Sequence, residues 1–318
     1  MRKYLIQRFF FGILSLIAAT LIVFVLSRAQ GDPLLLYAKP GGYGVSPEQI
    51  AALEEKLALD RPLMVQYLIW LGRVVRGDMG ETLLSERPVS DVIGEKLGAT
   101  MQLGLLAWIF ATLVGVPLGV LSAVKRGSVW DYLGRAFALF GQAAPVFFLG
   151  ILGILLFGVQ LGWLPAGLRP VQDPFWPSQA KALVMPTIAL GWLPAAVYLR
   201  LTRSAMLEVL DSEYVKLARA KGASGRAVIW RHALRNALIP PITVSALVLV
   251  GFLEGSVVVE AVFAWPGIGR MAVESIHNND FPLLTGIILM FAVLYVVGSF
   301  VADVAYTIVD PRIRYDQS

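Results

Sequence analysis

Long apolar segments constrain this chain more than any other feature. A helix needs about 20 apolar residues to cross the hydrocarbon core of a bilayer, and the chain contains six runs of that order. The composition agrees, because 57% of the 318 residues are hydrophobic and only 15% are charged, which is more apolar surface than one soluble core needs. The sequence predicts an all-α polytopic membrane protein with six transmembrane helices. The predicted spans are Phe9–Leu26, Met101–Val124, Ala136–Leu161, Leu183–Leu199, Ile239–Val259 and Leu283–Ile308.

The first apolar run also resembles a secretory signal, since Arg2, Lys3 and Arg8 precede it. However, it is longer than the apolar region of a typical signal peptide. The residues that follow, Leu26-Ser-Arg-Ala-Gln30, make a poor cleavage site. We therefore expect this segment to be a retained helix.

Basic residues cluster in the connections that six spans would place on one side of the membrane. By the positive-inside rule this side is cytoplasmic, so we expect both termini in the cytoplasm. Topology also accounts for the net charge of +5, so no nucleic-acid partner is expected. The cytoplasmic basic residues are Arg2, Lys3, Arg8, Lys125, Arg126, Arg135, Arg200, Arg203, Lys216, Arg219, Lys221, Arg226, Arg231, Arg235, Arg312 and Arg314.

The long segment between the first two spans is predicted to be external and helical. Ser46 and Gln49 have capping-box spacing, and two apolar stripes follow at helical intervals. We expect a small subdomain that is either a structural cap over the first helices or a docking surface for a partner. This divides the chain into residues 1–100 and a five-helix core, 101–318, with a cytoplasmic loop at about 205–238. The stripes are Ile50, Leu53 and Leu57, then Tyr67, Leu68, Leu71, Val74 and Val75.

A polar hairpin separates the fourth and fifth predicted spans. Tyr214, Leu217 and Ala218 share one face of a short helix, and Gly222 ends that helix as a C′ residue would. This pattern suits a helix that fits a groove in a second protein. An amphipathic helix held by lipid headgroups explains it equally well. The basic residues Lys216, Arg219 and Lys221 lie toward water or an acidic partner, and the small residues Ala218 and Ala220 allow close approach.

Several classes of chemistry are excluded by the residues themselves. The chain has no cysteine, which removes disulfides and thiolate nucleophiles, and its two histidines are too few for an all-His metal site. No P-loop and no HExxH motif occur, so the sequence shows no recognisable site for ATP binding or for zinc-protease chemistry. A self-contained secondary transporter is one possible function for a polytopic membrane protein. It would need its own ion-coupling site and usually an internal repeat, and neither is evident in the sequence.

Polar residues at membrane depth are the candidates for a translocation pathway. Glu254 either lines the route or pairs with a structural partner near the external interface, while Gln142 and Ser256 are weaker candidates. For Asp303 and Arg200, near the cytoplasmic ends of their spans, we expect structural ion pairs.

Small residues and prolines inside the spans have a structural explanation. Gly115 and Gly119 permit close helix packing, and Pro145 permits a kink. We expect packing to be their main role.

The hairpin resembles the coupling-loop, or EAA-type, motif of permease subunits from ABC importers. The form is that of the dipeptide/oligopeptide/nickel permease family, B-type subunit. It departs from the general motif where Lys216-Leu217-Ala218 replaces Glu-Ala-Ala, and at His232 and Arg235, as the peptide-type family commonly does; Gln30 stands where a Pro is usual. The matching stretches are Gly31-Asp-Pro33, Leu59-Asp-Arg-Pro62, Gln66-Tyr67, Gly77-Asp78, Gly162-Trp-Leu-Pro165, Tyr214-Val-x-x-Ala-Arg-Ala-Lys-Gly222, Arg231-His-x-Leu-Arg-Asn-Ala-Leu-Ile-Pro240, Val259-Glu260, Phe263-Ala-Trp-Pro-Gly267 and Asp310-Pro-Arg-Ile-Arg314.

The resemblance implies a non-catalytic, multi-pass subunit of a prokaryotic cytoplasmic (inner) membrane importer. It implies a second, similar permease, expected to form a heterodimer, an external solute-binding protein, and two ATPase subunits that bind ATP and Mg. This chain would bind no cofactor and would contact lipid. Short peptides are the expected solute, with oligosaccharides and nickel chelates as alternatives. The implied ATPase-coupling residues are Tyr214, Leu217, Ala218, Arg219, Ala220, Lys221 and Gly222.

Overall fold

Helices form the fold in a computed structural model of the chain, which describes residues 2–29, 58–167 and 176–309. Within these residues the β-structure consists of one isolated bridge, between Glu81 and Pro88. The all-α prediction is therefore confirmed. The helices are α1 (Arg2–Ala29), α2 (Leu63–Val75), α3 (Val89–Val124), α4 (Val129–Ala143), α5 (Val146–Gly153), α6 (Trp176–Leu210), α7 (Glu213–Ala220), α8 (Gly225–Ala227), α9 (Leu234–Ala237), α10 (Ile239–Val262), α11 (Ile268–His277) and α12 (Phe281–Val309); π-helical stretches, Ile154–Gln160 and Val228–Ala233, follow α5 and α8.

Four to six segments of the described chain can cross a membrane. Four single helices are long and apolar enough, and two bent helix pairs complete the six spans that the sequence predicts. This agreement concerns length and composition, and the side on which the termini lie stays a prediction. The single helices are Ile6–Leu26, Val89–Val124, Ala180–Leu210 and Phe281–Val304; the bent pairs are Val129–Ala143 with Val146–Gln160, and Gly225–Ala237 with Ile239–Phe252.

The α3–α6 pair lies at the centre of the fold. Small residues recur every four positions on the buried face of α3, at Ala107, Ala111, Gly115 and Gly119. A Cβ atom added at Gly115 would lie 2.4 Å from the carbonyl oxygen of Ala195 in α6, so only glycine fits there. Lipid removes the hydrophobic drive between helices, so helix association in a membrane depends on close packing of this kind. The packing role expected for Gly115 and Gly119 is confirmed.

The third predicted span is divided by a sharp bend. Helix α4 begins at Val129, and α5 leaves it at an angle of 107°. Pro145 lies at the break, at the N-cap position of α5. Proline has no backbone N–H and clashes with the preceding turn, so α4 cannot continue through it. The span predicted over 136–161 begins too late, since the helix already starts at Val129. The kink that the sequence allowed at Pro145 is present.

Helix α6 is longer at both ends than the predicted span, 183–199. It contains Pro186 and Pro194 without ending at either. Its membrane candidate, Ala180–Leu210, has 31 residues, or roughly 46 Å at about 1.5 Å per residue. A hydrocarbon core of about 30 Å cannot contain that length, so we infer that one end of α6 extends beyond it.

An ion pair joins the first and last helices. Arg8 in α1 donates from Nη2 to Oδ1 of Asp303 in α12 at 3.0 Å, and its Nε lies 2.5 Å from Oδ2. Asp303 is only 6% exposed. The expected structural ion pair at Asp303 is confirmed.

Helix α2, which the sequence predicts to be external, packs against α1. The Tyr67 hydroxyl lies 2.9 Å from Thr20 Oγ1, and its ring meets Phe24 edge-on at 5.5 Å. The second predicted amphipathic helix is thus present, but its stripe is only partly buried, since Leu68 and Val75 are 59% and 79% exposed. These contacts favour a structural cap over the first helix.

Three sequence features lie outside the described residues. They are Gly31-Asp32-Pro33, the first external helix predicted from Ser46 to Leu57, and the C-terminal Asp310–Arg314 motif. Their predictions stay predictions.

We expect Gly115→Ala to lower the stability of the purified protein in detergent. The new methyl group would force α3 away from the α6 backbone, and overpacking of this kind costs about 1–3 kcal/mol. Thermal unfolding of the variant measures the effect. Gly98→Ala in the same helix is the matched control, because nothing lies within 4 Å of its added Cβ. Equal midpoints for the two variants would contradict the close contact.

Candidate functional site

A polar hairpin joins α6 to α10 and has a defined turn at its tip. Gly222 ends α7 with a φ of 83°. Its N–H donates to the Arg219 carbonyl at 2.9 Å, and the Ala223 N–H donates to the Ala218 carbonyl at 3.1 Å. These two bonds form a Schellman motif, which requires a left-handed residue at C′. The predicted helix end at Gly222 is confirmed.

The base of the hairpin is anchored in the helix bundle. Val215 of α7 is fully buried. The hairpin has two arms, α7 and the helical stretch from Gly225 to Ala237. In the second arm, Ala233 and Ala237 pack into one apolar cluster with Met206 of α6 and Val120 of α3. A displacement of the hairpin would therefore act directly on the ends of α3 and α6.

Tyr214 ties the two arms of the hairpin together. Its hydroxyl accepts a hydrogen bond from Asn236 Nδ2 at 2.8 Å and donates to the His232 carbonyl at 3.3 Å. The side chain is nevertheless 41% exposed. Tyr214 thus stiffens the hairpin while part of its ring stays available for contact.

Apolar side chains and basic side chains share the exposed surface of the hairpin, which we call the hairpin surface. Leu217 is 56% exposed and Trp230 is 58% exposed. An open groove of about 630 Å³ lies beside Trp230, lined also by Ser224, Arg226 and Ala227. Exposed aromatic and aliphatic groups with a basic rim are typical of docking surfaces. The exposed basic residues are Lys216, Arg219, Lys221, Arg226, Arg231 and Arg235.

The apolar face predicted for α7 is exposed at Tyr214 and Leu217, as contact with a second protein or with lipid headgroups would require. Leu217 is exposed and Ala218 is half-buried, whereas Val215, which the sequence pattern did not single out, is buried. Hydrophobicity alone could not separate the two faces, since each carries an aliphatic residue. The remaining predicted coupling residues, Arg219, Ala220, Lys221 and Gly222, are exposed.

The three predicted pathway residues occupy different environments. Ser256 is fully buried and lies within hydrogen-bonding reach of Glu260. Gln142 is exposed and accepts a hydrogen bond from Arg200 Nη1 at 2.9 Å. The backbone of Glu254 belongs to α10, but its side chain lies outside the described residues.

Two arginines one turn apart on α6 have unlike partners. Arg203 donates from Nε and Nη2 to the two carboxylate oxygens of Asp131 at 2.8 and 3.1 Å, and Asp131 is only 1% exposed. Among the described residues Arg200 forms no ion pair, and its partner is the neutral amide of Gln142. The expected ion pair at Arg200 is therefore wrong, and the pair forms at Arg203. The partner of Arg203, Asp131, is 72 residues away in the sequence, so the pair could not be recognised from the sequence.

A buried carboxylate organises the opposite end of the bundle. Glu260 is fully buried and accepts hydrogen bonds from Thr100 Oγ1 at 2.8 Å and from the Arg270 N–H at 3.1 Å. Thr100 Oγ1 in turn accepts from the Ile268 N–H at 2.9 Å. Acceptors at a helix N-terminus satisfy its free N–H groups and suit its dipole. Glu260 and Thr100 thereby fix α11 against α3 and α10, and the sequence pattern did not predict this role.

These arrangements provide binding and mechanical connection. Within the described ranges, no group of three His, Asp or Glu side chains could hold a metal ion. The hairpin surface offers apolar and cationic contacts, and Arg200 offers hydrogen-bond donors. Both suit non-covalent recognition.

Two family models match most of the chain. Residues 115–315 match the binding-protein-dependent transport system inner membrane component. Residues 1–103 match the N-terminal region of the membrane component of the same kind of transport system.

Curated relatives match the chain from end to end. The dipeptide transport system permease protein DppB of Alkalihalophilus pseudofirmus is 38% identical, covering 99% of this chain and 100% of the relative. DppB of Escherichia coli is 36% identical, with 99% of each chain covered. The oligopeptide transport system permease protein AppB of Bacillus subtilis is 40% identical, covering 99% of this chain and 100% of the relative.

Solved structures share the fold at low sequence identity. An inward-facing structure of the MetNI methionine ABC transporter contains a chain that is 20% identical, with a TM-score of 0.55 over 69% of this chain and 96% of that one. A chain of an amino acid ABC transporter crystallised with histidines gives a TM-score of 0.51 at 16% identity, over 68% of this chain and 94% of that one. From the matches to the family models and the curated relatives, we conclude that this chain belongs to the binding-protein-dependent transport system inner membrane components, the permease subunits of ABC importers.

Proposed function

We propose that the chain forms half of the pathway of an ATP-driven importer for di- and oligopeptides in a prokaryotic cytoplasmic membrane. The observation that carries this proposal is the 36–40% identity, over 99% of the chain, to permeases named for dipeptides and oligopeptides. An external binding protein would deliver the peptide. Two partner subunits would bind ATP and Mg and hydrolyse the ATP, so the permease itself is non-catalytic.

The hairpin surface is the proposed docking site for an ATPase subunit. Leu217 and Trp230 would enter a groove of that subunit, and the basic residues would face acidic groups at its edge. The proposed coupling residues are those of the sequence motif, Tyr214, Leu217, Ala218, Arg219, Ala220, Lys221 and Gly222. Trp230 and its groove extend this set. A docking role would require the hairpin on the cytoplasmic side, and six spans would then put both chain termini on that side as well.

The anchoring of the hairpin supports a mechanical mechanism. Val215 is buried against the bundle, and the Ala233–Ala237 arm packs on α6 and α3. Closure of two ATPase subunits would move the hairpin and, through these contacts, displace the ends of α6 and α3. Transport then depends on a two-state change of helix packing.

A pathway lies between two permeases in this proposal, and the second is a similar but distinct chain. Glu254, Gln142 and Ser256 remain the candidate pathway residues. Gln142 has the best support of the three, because it is exposed and bonded to a cation.

Importers of oligosaccharides or nickel chelates are alternatives within the same family, and a self-contained secondary transporter is the alternative outside it.

We expect vesicles that contain the whole complex to take up a radiolabelled dipeptide only when ATP and the binding protein are both present. Excess unlabelled dipeptide should block this uptake, whereas oligosaccharide or nickel chelate should not. Uptake by this chain alone would favour the secondary transporter.

We expect Leu217→Glu to release the ATPase subunits from the complex. The carboxylate would replace the apolar side chain and would lose its water on entering the groove of the ATPase subunit. At the centre of an interface, such a change lowers the binding free energy by about 2 kcal/mol or more. Mild-detergent purification followed by mass spectrometry measures which subunits stay bound. The matched control is Leu84→Glu, because Leu84 is 66% exposed and precedes the far end of α3. Retention of the ATPases by Leu217→Glu would refute the docking site.

We expect Gly222→Ala to lower ATP-driven uptake roughly tenfold, because a left-handed residue with a Cβ costs about 1–2 kcal/mol. The amount of inserted complex should not change. Gly225→Ala is the control, since both glycines have open space around an added Cβ and only Gly222 has positive φ. Gly222→Asn should retain most of the activity, because Asn tolerates this conformation. Normal uptake by Gly222→Ala would separate the turn from coupling.

A further inference from the structure

One face of α6 stays uncovered by the rest of the chain and changes in character along its length. From Gly191 to Leu210 the exposed residues are Leu193, Arg200, Ser204 and Glu208, with Val197 half-buried between them. Their spacing of three and four residues places all five on one stripe of the helix. We call this the α6 stripe. It is apolar at one end and polar toward the hairpin.

The α6 stripe contrasts with an uncovered surface that suits lipid. On α4 the exposed apolar side chains include Leu133, Leu139 and Phe140, at 56%, 73% and 45% exposure. The Arg200 guanidinium lies at the end of the predicted span, where it would be costly against hydrocarbon, and such a group in a span faces protein or water. The α6 stripe therefore suits a wet passage at the hairpin end of the bundle.

Arg200 is held in place but keeps its charge uncompensated among the described residues. Its Nη1 donates to Gln142 Oε1 at 2.9 Å, and the Gln142 amide nitrogen donates to the Ala138 carbonyl at 3.3 Å. Glutamine is neutral, so it orients the guanidinium without neutralising it. Arg203, three residues further along the chain, shows the opposite case, since the buried carboxylate of Asp131 neutralises it.

We propose that Arg200, oriented by Gln142, binds the carboxylate of the transported solute on the hairpin side of the pathway. The inference rests on the proposed peptide import. One guanidinium N–H is taken by Gln142, and the others can form the paired bonds that a carboxylate accepts. Every peptide with a free C-terminus carries that group, whatever its side chains. The site thus recognises what peptides share.

The exposure of Arg200 suits a passage rather than a storage site. Water competes for an exposed guanidinium, so a carboxylate would bind weakly and leave quickly. A conducting pathway needs this combination, because a tightly bound solute would not be released.

Restoring a positive charge at position 200 by chemical modification tests the proposal. The chain has no cysteine of its own, so a thiol reagent modifies only the cysteine introduced into it. In vesicles that contain the whole complex, we expect Arg200→Cys to reduce dipeptide uptake roughly tenfold, since a charge-assisted hydrogen bond is lost. A thiol reagent that adds an ethylammonium group should restore much of the uptake, and one that adds an ethylsulfonate should not. Arg126→Cys, an exposed cation in the α3–α4 connection, should respond to neither. The wild-type complex treated in the same way corrects for cysteines of the partner subunits.

Labelling rates test the position and the charge of the site without transport. Val197→Cys and Ser204→Cys should react with the charged reagents, and dipeptide should slow the reaction, whereas Leu139→Cys should stay unreactive. At Ser204→Cys, Arg200→Gln should lower the reaction rate of the anionic reagent relative to that of the cationic reagent, while Glu208 stays the same in both proteins. Normal uptake by Arg200→Cys, equal restoration by both reagents, or an unreactive Val197→Cys would overturn the proposal. If the wild-type complex takes up no dipeptide, the peptide assignment fails, and the labelling preference at Ser204→Cys still decides whether Arg200 attracts anions.

Discussion

The backbone contact between α3 and α6 is the interaction on which the rest of the structure depends. Apolar surface on a helix gains little by leaving lipid for protein, so spans associate where their backbones approach closely. Gly115 and Gly119 permit that approach because they present no side chain to the Ala195 and Leu199 carbonyls. Once this face of α6 is fixed, its opposite face is fixed too. The orientation of the α6 stripe is therefore a consequence of two glycines on another helix.

The same contact makes α6 a suitable lever. Its hairpin end is connected to α4 through Asp131 and Arg203, and a buried ion pair of this kind is costly to break by removing one partner. The hairpin rests on that end through Met206 and Ala233. At the far end, Glu260 and Thr100 hold α11 against α3 and α10. Because the helices are connected at both ends of the bundle, a displacement of the hairpin would move whole helices instead of being absorbed locally.

The sequence predicts the parts of this fold that depend on local rules. Apolar length locates the spans, and the Gly222 helix end follows from backbone preference alone. Hydropathy reports how apolar a segment is but not the direction in which the backbone runs. It therefore locates the third span but does not give the 107° angle of the bend at Pro145. It likewise could not show that Val215 faces the bundle while Leu217 faces outward. Those choices depend on neighbours far away in the chain.

Arg200 and Arg203 show why site residues are harder to predict than spans. Both lie on α6, three residues apart, and either suits an ion pair at the end of a span. Three residues turn the helix by about 300°, since each residue advances it by roughly 100°, and this rotation directs Arg203 to Asp131 and Arg200 to the uncovered stripe. A permease that accepts many peptides cannot build a pocket for each side chain. A cation left exposed by this rotation, and oriented by a neutral amide, would meet the carboxylate that all peptides with a free C-terminus carry.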